Sequence, residues 1–132
     1  MGEIKNHARA AQVIDFSGLR YGKNLRPTDI DGLLEYRNKA FVFFEMKYGD
    51  APLPEGQRIA LEHLVESFGQ AGKSACAFVC RHDVTDPYED IIAEKTIVSN
   101  CLCNNGWKVN GKTLGECLKN WLKFTCPKAL EE

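Results

Sequence analysis

Four ionisable side chains lie close together in the segment PTDIDGLLEYRNKAFVFFEMK (27–47). Asp29 and Asp31 are two positions apart, and so are Glu45 and Lys47. Residues two apart on a β-strand point to the same side of the sheet. A turn between the two pairs therefore brings three carboxylates and one ammonium together at one end of a sheet. Burying such charges is costly unless something compensates them.

A hard divalent cation is the natural compensation for converging carboxylates. Mg²⁺ takes oxygen ligands and keeps several of its waters. The candidate ligands are the carboxylates of Asp31, Glu45 and Asp29 and the backbone carbonyl of Met46. A bound Mg²⁺ or Mn²⁺ lowers the pKa of its water, and the ammonium of Lys47 is placed to orient that water and to stabilise negative charge. These groups suit the hydrolysis of a phosphodiester.

Asp31, followed fourteen residues later by Glu45-Met46-Lys47 at the end of an apolar strand, resembles the signature of the PD-(D/E)XK nuclease superfamily. The stretch FVFFEMK is similar to the corresponding strand of archaeal Holliday-junction resolvases. The resemblance covers roughly residues 25–81. It implies that Asp31 and Glu45 bind the metal and that Lys47 is the catalytic lysine.

Gln57 adds to this resemblance. Some branches of the family carry a glutamine on the helix after this strand, four positions before an aromatic or apolar residue, which here is Leu61. In those branches the glutamine lies near the water on the metal or near a substrate phosphate. Gln57 is therefore the fourth candidate catalytic residue.

The chain also departs from the family pattern. The family's Pro-Asp pair is spread over Pro27-Thr28-Asp29, so either Asp29 or Asp31 is the principal ligand. We prefer Asp31 because of its place in the predicted hairpin. The family often has another acid on its first helix, and Glu3 is only a weak match for it.

Periodicity and turn residues predict the elements that position these groups. In chain order they are a short helix or arm (3–12), a short strand (12–16), a loop (17–27), a strand (28–36), a turn (37–39), a central strand buried on both faces (40–47), a helix from Pro54, a buried strand (73–81), a helix from Asp86-Pro87, a strand (96–103), a hairpin with Asn-Gly at its turn (106–112), and a last helix behind a Thr113–Glu116 capping box. The strand–helix–strand unit at 40–81 requires a parallel strand pair. The expected fold class is α/β, a restriction-endonuclease-like layered domain with a central mixed β-sheet flanked by helices.

Composition sets the frame for these motifs. The chain has 132 residues, of which 44% are hydrophobic and 27% charged, which suits a single domain spanning 1–132. The net charge of −1 excludes a global basic field, so a nucleic-acid partner requires a local basic patch. No apolar run approaches the roughly 20 residues of a membrane span, and the N-terminus has no signal-peptide pattern. We therefore expect a cytoplasmic protein that does not contact a membrane.

Charge is unevenly distributed along the chain. The stretch 16–28 contains basic residues and no acid, and we name its chemistry-bearing members the basic loop: Arg20, Tyr21, Lys23 and Arg26. It directly precedes the acidic hairpin and is predicted to grip phosphates, the alternative being a solvated loop. Arg81 and Lys73 flank a predicted strand and are further candidates for phosphate contact.

Cysteine and histidine offer weaker alternatives. The six cysteines include no C-x-x-C pair, and we expect buried or incidental thiols in a reducing compartment. A zinc site is the competing interpretation, and Cys101-x-Cys103 is poor spacing for it. Neither His63 nor His82 stands in a metal-spaced pair, although each is a candidate base.

The leading hypothesis is a metal-dependent nuclease that hydrolyses DNA. A domain this small has little surface for reading sequence, which favours recognition of DNA structure or ends. The resemblance favours a phage or mobile-element role and a homodimer formed through 106–112 and the last helix. One alternative is a catalytically silent module of the nuclease fold that binds DNA or regulates another protein. Another is an inhibitor that mimics DNA, for which the acidic run at 82–94 is too short.

Overall fold

The computed structural model of the protein describes residues 12–132. The predicted arm at 3–11, with Glu3, lies outside the described residues. The elements are β1 (Gly32–Tyr36), β2 (Ala40–Tyr48), α1 (Glu55–Gln70), β3 (Ser74–His82), a short 3₁₀ helix (Ala93–Lys95), β4 (Ile97–Cys103), β5 (Gly106–Val109), α2 (Leu114–Thr125) and a second 3₁₀ helix (Pro127–Leu130).

Within residues 12–132, five strands form one mixed sheet in the order β1-β2-β3-β4-β5. The β2–β3 pair is parallel, and the other three pairs are antiparallel. Helix α1 makes the connection between the parallel strands, as a parallel pair requires. The predicted strand–helix–strand unit and the mixed α/β class are therefore confirmed.

The two faces of the sheet bury different side chains. On one face Val42, Cys76 and Phe78 pack with Leu114 and Cys117 of α2. On the other face, here called the α1 face, a second cluster packs against α1: Phe43, Leu61, Val65, Ala75, Ala77 and Leu102. Strand β2 contributes Val42 to the first cluster and Phe43 to the second. It is therefore buried on both faces, which explains its continuous apolar run.

The β1–β2 hairpin fixes the register of the candidate site. Arg37 and Asn38 have φ of 44° and 60°, as a type I′ turn requires, and the Lys39 N–H donates to the Tyr36 carbonyl at 2.8 Å. Gly32 lies opposite Phe44 at the far end of the pair. The turn predicted at 37–39 is confirmed, and it sets which residues of the two strands meet.

Some predicted boundaries were wrong. The strand predicted at 28–36 begins only at Gly32, so Asp29 and Asp31 precede it. Residues 12–16, predicted as a strand, form no regular element and are exposed. β2 has neighbours on both sides, but β3, not β2, is the middle strand of the described sheet.

A predicted helix start and a predicted hairpin turn differ from what the structure shows. Asp86-Pro87 opens a single turn, in which the Asp86 carboxylate accepts from the Tyr88 N–H at 2.9 Å, and no α-helix follows. The residues after it are exposed, so no apolar face is buried to stabilise a helix there. The hairpin turn lies at residues 104–105, between β4 and β5, because Cys103 pairs with Gly106. Asn110-Gly111 instead leads into α2, whose predicted capping box is present.

The thiols agree with the sequence interpretation. All six cysteines are free, and Cys76, Cys80 and Cys117 are buried. Burial raises the pKa of the Cys80 thiol to about 11. No helix among residues 12–132 is both long and apolar enough to span a membrane.

Candidate functional site

Asp31 is held against β2 by the backbone. It directly precedes Gly32, so the hairpin register carries it opposite Glu45. Its Oδ2 accepts a hydrogen bond from the Met46 N–H at 2.7 Å. The Asp31 carboxylate thus takes the place of a backbone acceptor for the Met46 N–H, just before strand β1 begins at Gly32. The structure therefore brings Asp31 and Glu45 together, as the sequence predicted.

The Glu45 carboxyl is the least solvated acid of the described chain. Glu45 is only 2% exposed, and its Oε1 has no hydrogen-bond partner among residues 12–132. Burial, together with the neighbouring charge of Asp31, raises the pKa of this carboxyl to about 7, against the opposing effect of Lys47. A buried polar atom without a partner costs free energy. This oxygen therefore points to a ligand.

Lys47 and Gln57 meet on the α1 face. The Lys47 Nζ donates to the Gln57 Oε1 at 3.0 Å. Gln57 lies one turn before the buried Leu61, so the apolar stripe of α1 turns it toward the sheet. No ion pair among the described residues involves Lys47. Its ammonium is therefore positioned by an amide.

The oxygen atoms at this site suit a hard cation that binds few protein ligands. In a strand, the N–H and C=O of one residue point to the same edge. Because the Met46 N–H faces Asp31, the Met46 carbonyl also points to that edge. No group of three or more His, Cys, Asp and Glu side chains that could hold a metal occurs in the described part of the chain. Two carboxylates and a carbonyl fit Mg²⁺, which keeps several waters.

Asp29 and the basic loop form no hydrogen bond or ion pair with this cluster within residues 12–132. Asp29 is exposed and takes part in no hydrogen bond or ion pair found within residues 12–132. The basic loop residues are exposed: Arg20, Tyr21, Lys23 and Arg26. The loop is closed by paired backbone bonds between Tyr21 and Leu25, at 2.8 and 3.1 Å.

Lys73 and the histidines do not join the site. Lys73 precedes β3 and donates to the Asn38 carbonyl at 2.9 Å, at the opposite end of the sheet. Of the two residues predicted to flank this strand as candidates for phosphate contact, Lys73 therefore lies at the end of β3 away from the candidate site. His63 is exposed on α1, and the His82 Nδ1 accepts from the Val84 N–H at 3.1 Å.

Arg81 does lie at the site end, and a feature that the sequence did not predict orients it. The β3–β4 register shifts between Val79 and Cys80, which leaves Ser99 as an extra residue in β4. The Ser99 hydroxyl accepts from the Arg81 Nε at 3.2 Å. Bulges are common beside functional sites, where they re-aim a side chain. Nothing in the stretch TIVSNCLC signals this bulge.

Comparison of the chain with protein-family models, with curated proteins and with solved structures gave no significant match.

Proposed function

We propose that the protein is a Mg²⁺- or Mn²⁺-dependent deoxyribonuclease that hydrolyses phosphodiester bonds. The observation that best supports this is the buried Glu45 carboxyl, whose Oε1 has no hydrogen-bond partner among the described residues and whose charged neighbours are Asp31 and Lys47. An apolar strand gains no stability from such a group in the absence of a ligand. The order hairpin, helix, parallel strand also fits the restriction-endonuclease-like core that the PD-(D/E)XK resemblance implies.

Each residue of the site has a distinct role in this proposal. Asp31, Glu45 and the Met46 carbonyl hold the cation. When bound, the cation supplies Lewis acidity and makes a nucleophilic water available near neutral pH. Lys47 stabilises the negative charge that develops on the phosphate, and Gln57 fixes the ammonium through its 3.0 Å bond.

The pKa of Glu45 predicts how activity depends on pH. A carboxyl with a pKa of about 7 binds a cation only after it loses its proton. Cleavage at limiting Mg²⁺ should therefore rise through pH 6 to 8. Saturating Mg²⁺ should move this rise to lower pH, because the cation competes with the proton.

Asp31→Asn tests the proposal. The amide oxygen of asparagine can still accept from the Met46 N–H, so the fold should be kept while one anionic ligand is lost. Wild-type protein should cleave plasmid or branched duplex DNA with Mg²⁺ and not with EDTA, and Asp31→Asn should lose both cleavage and Mg²⁺ binding by calorimetry. Unchanged metal binding in Asp31→Asn would show that Asp31 is not a ligand.

The second candidate function is a catalytically silent module that binds DNA or regulates another protein. A retired site loses members of its catalytic set, whereas Asp31, Glu45 and Lys47 are all present here. DNA binding without Mg²⁺-dependent cleavage would establish this alternative. A mobile-element role and a homodimer stay part of the proposal by resemblance alone, and a cytoplasmic location stays an expectation from the sequence.

A further inference from the structure

Arg81 lies one strand away from Lys47 on the α1 face. The parallel register pairs Lys47 with Arg81 and Glu45 with Val79. Partners across a parallel pair point to the same side of the sheet, so the Lys47 and Arg81 side chains leave the sheet on the same face, at the carboxyl ends of β2 and β3. Ligands of α/β sheets bind at this end.

The guanidinium is fixed by three bonds to neutral groups. Its Nε donates to the Ser99 Oγ at 3.2 Å, and its Nη1 donates to the carbonyls of Gly49 and Ala51. Arginine has five N–H donors, two of them on Nη2. The Nη2 donors have no partner in the described chain and are not among its buried atoms. The guanidinium fork is therefore held in place through Nε and Nη1, while the two donors on Nη2 have no partner in the described chain.

Arg81 forms no ion pair within residues 12–132. The neighbouring Arg58 differs, because its Nη1 lies 2.9 Å from a carboxylate oxygen of Glu62. A cleft of about 260 Å³ opens between them and is lined by Leu53, Arg58, Val79, Arg81, Asn100 and Trp107. One of the lining residues, Val79, is the register partner of Glu45 on the neighbouring strand. Arg81 also lines a larger cavity of about 700 Å³, whose other lining residues include Asp50, Asp83, Glu89 and Asp90.

We infer that Arg81 is a phosphate-binding residue, which holds the backbone phosphate next to the scissile one in the cleft beside Lys47. A guanidinium that is held in place with both Nη2 donors free can donate to phosphate oxygens without first being ordered. Ser99 and the carbonyls of residues 49 and 51 act as positioning groups for the fork. The inference deepens the proposed nuclease function and rests on it for the identity of the substrate.

Pyrophosphate tests the anion site without metal, DNA or catalysis. Titration of ¹⁵N-labelled protein in EDTA should shift the amide signals of Gly49, Ala51 and Ser99. Arg81→Ala should abolish the shifts. Arg37→Ala removes the same charge at the opposite end of the hairpin, where Arg37 pairs with Glu132 at 2.9 Å, and should leave the shifts unchanged.

Ser99→Ala keeps the test decisive if Arg81→Ala fails to fold. It keeps the charge and both carbonyl bonds but frees the Nε, so pyrophosphate affinity should fall about three- to tenfold, the effect of one neutral hydrogen bond. Wild-type affinity in Ser99→Ala would overturn the positioning role. Absence of pyrophosphate shifts in wild-type protein would overturn the anion site and would leave the Mg²⁺ titration of Asp31 and Glu45 unaffected.

Duplex DNA gives the second readout. In EDTA, Arg81→Ala should lower the slope of log K against log salt by about 0.9, the value for one lost phosphate contact. Arg81→Lys keeps the charge and should keep the slope, although it loses the fork and binds less tightly. An unchanged slope in Arg81→Ala with a lower melting temperature would show that Arg81 only secures the turn at 49–51.

Discussion

A buried carboxyl next to another carboxylate makes the proposed metal site sensitive to protons. Glu45 has a folded-state pKa of about 7, above its unfolded value of 4.5. Between these values the folded protein binds a proton that the unfolded chain has lost, so stability falls as pH rises and levels off above about pH 7. The metal-free protein is thus less stable at pH 8 than at pH 4.5 through this residue.

Glu45→Gln should remove this dependence. Its metal-free free energy of unfolding should exceed that of wild type at pH 8 by roughly 2–3 kcal/mol, since each unit of pKa shift corresponds to about 1.4 kcal/mol. The two proteins should differ much less below pH 4.5. Urea unfolding in EDTA across pH 4–8 measures the free energy of unfolding of both proteins. The control is Glu66→Gln, which replaces an exposed glutamate. Parallel pH profiles for wild type and Glu45→Gln would contradict a buried, titrating Glu45.

Lys47→Ala separates a catalytic lysine from a structural one. Without metal, loss of the ammonium leaves the Glu45 charge less compensated, so the melting temperature at pH 8 should fall. Added Mg²⁺ should recover much of that loss, because the cation takes over the compensation. Cleavage should stay down by about 100-fold or more, since the cation does not replace a positioned ammonium.

The control for Lys47→Ala is Lys39→Ala, which removes an exposed lysine at the β1–β2 turn, away from the site. It should cleave at the wild-type rate. Near-normal cleavage by Lys47→Ala would falsify the catalytic assignment and leave the lysine as an ion-pair partner of a buried acid.

At the scale of the elements, the hairpin aligns the two carboxylates by close packing at its open end. A Cβ at Gly32 would lie 2.9 Å from the Phe44 Cδ2, closer than the ring can tolerate without moving. Gly32 directly follows Asp31, so the missing side chain lets the chain approach β2 and the Asp31 carboxylate reach the Met46 N–H.

Gly32→Ala should therefore destabilise the fold by roughly 1–3 kcal/mol, the cost of overpacking. It should also weaken Mg²⁺ binding by moving Asp31 away from β2. Gly18→Ala is the matched control, because nothing lies within 4 Å of a Cβ at Gly18. Chemical unfolding and metal titration measure both effects. Equal stability of the two variants would mean that the hairpin end tolerates a wider spacing.

At the scale of the whole molecule, basic and acidic side chains are concentrated in different stretches of the chain, so the small net charge does not describe the local charge of each stretch. The chain carries −1 overall, yet the basic loop contains no acid. Its residues are exposed and precede Asp31 in the chain. Association with a polyanion is then driven by local patches, whose effect is screened by salt.

Replacing Arg20, Lys23 and Arg26 together should weaken duplex DNA binding and lower the salt slope by roughly 2–3, while Mg²⁺ binding stays. The control replaces Lys108, Lys119 and Lys123, three exposed lysines of β5 and α2. The control should leave the slope nearly unchanged. Fluorescence anisotropy across 50–300 mM salt measures it, and equal slopes for the two triple variants would identify the basic loop as solvated surface.

Local patterns determined much of this protein. The apolar run before Glu45, the turn at 37–39 and the helical stripe through Leu61 predicted the hairpin, α1 and the parallel strand pair, because each depends on residues near in sequence. The pairing of Asp31 with Glu45 and the placing of Gln57 on the α1 face followed from the same periodicities.

Tertiary structure decided the rest. A capping pattern at Asp86 is also a turn pattern, and only the absence of an apolar surface to pack against made it a turn. The bulge at Ser99, the bonds that hold Arg81 and the lone Oε1 of Glu45 arise between strands distant in sequence. Register and burial set these contacts, and both come from the packing of the whole sheet between its helices.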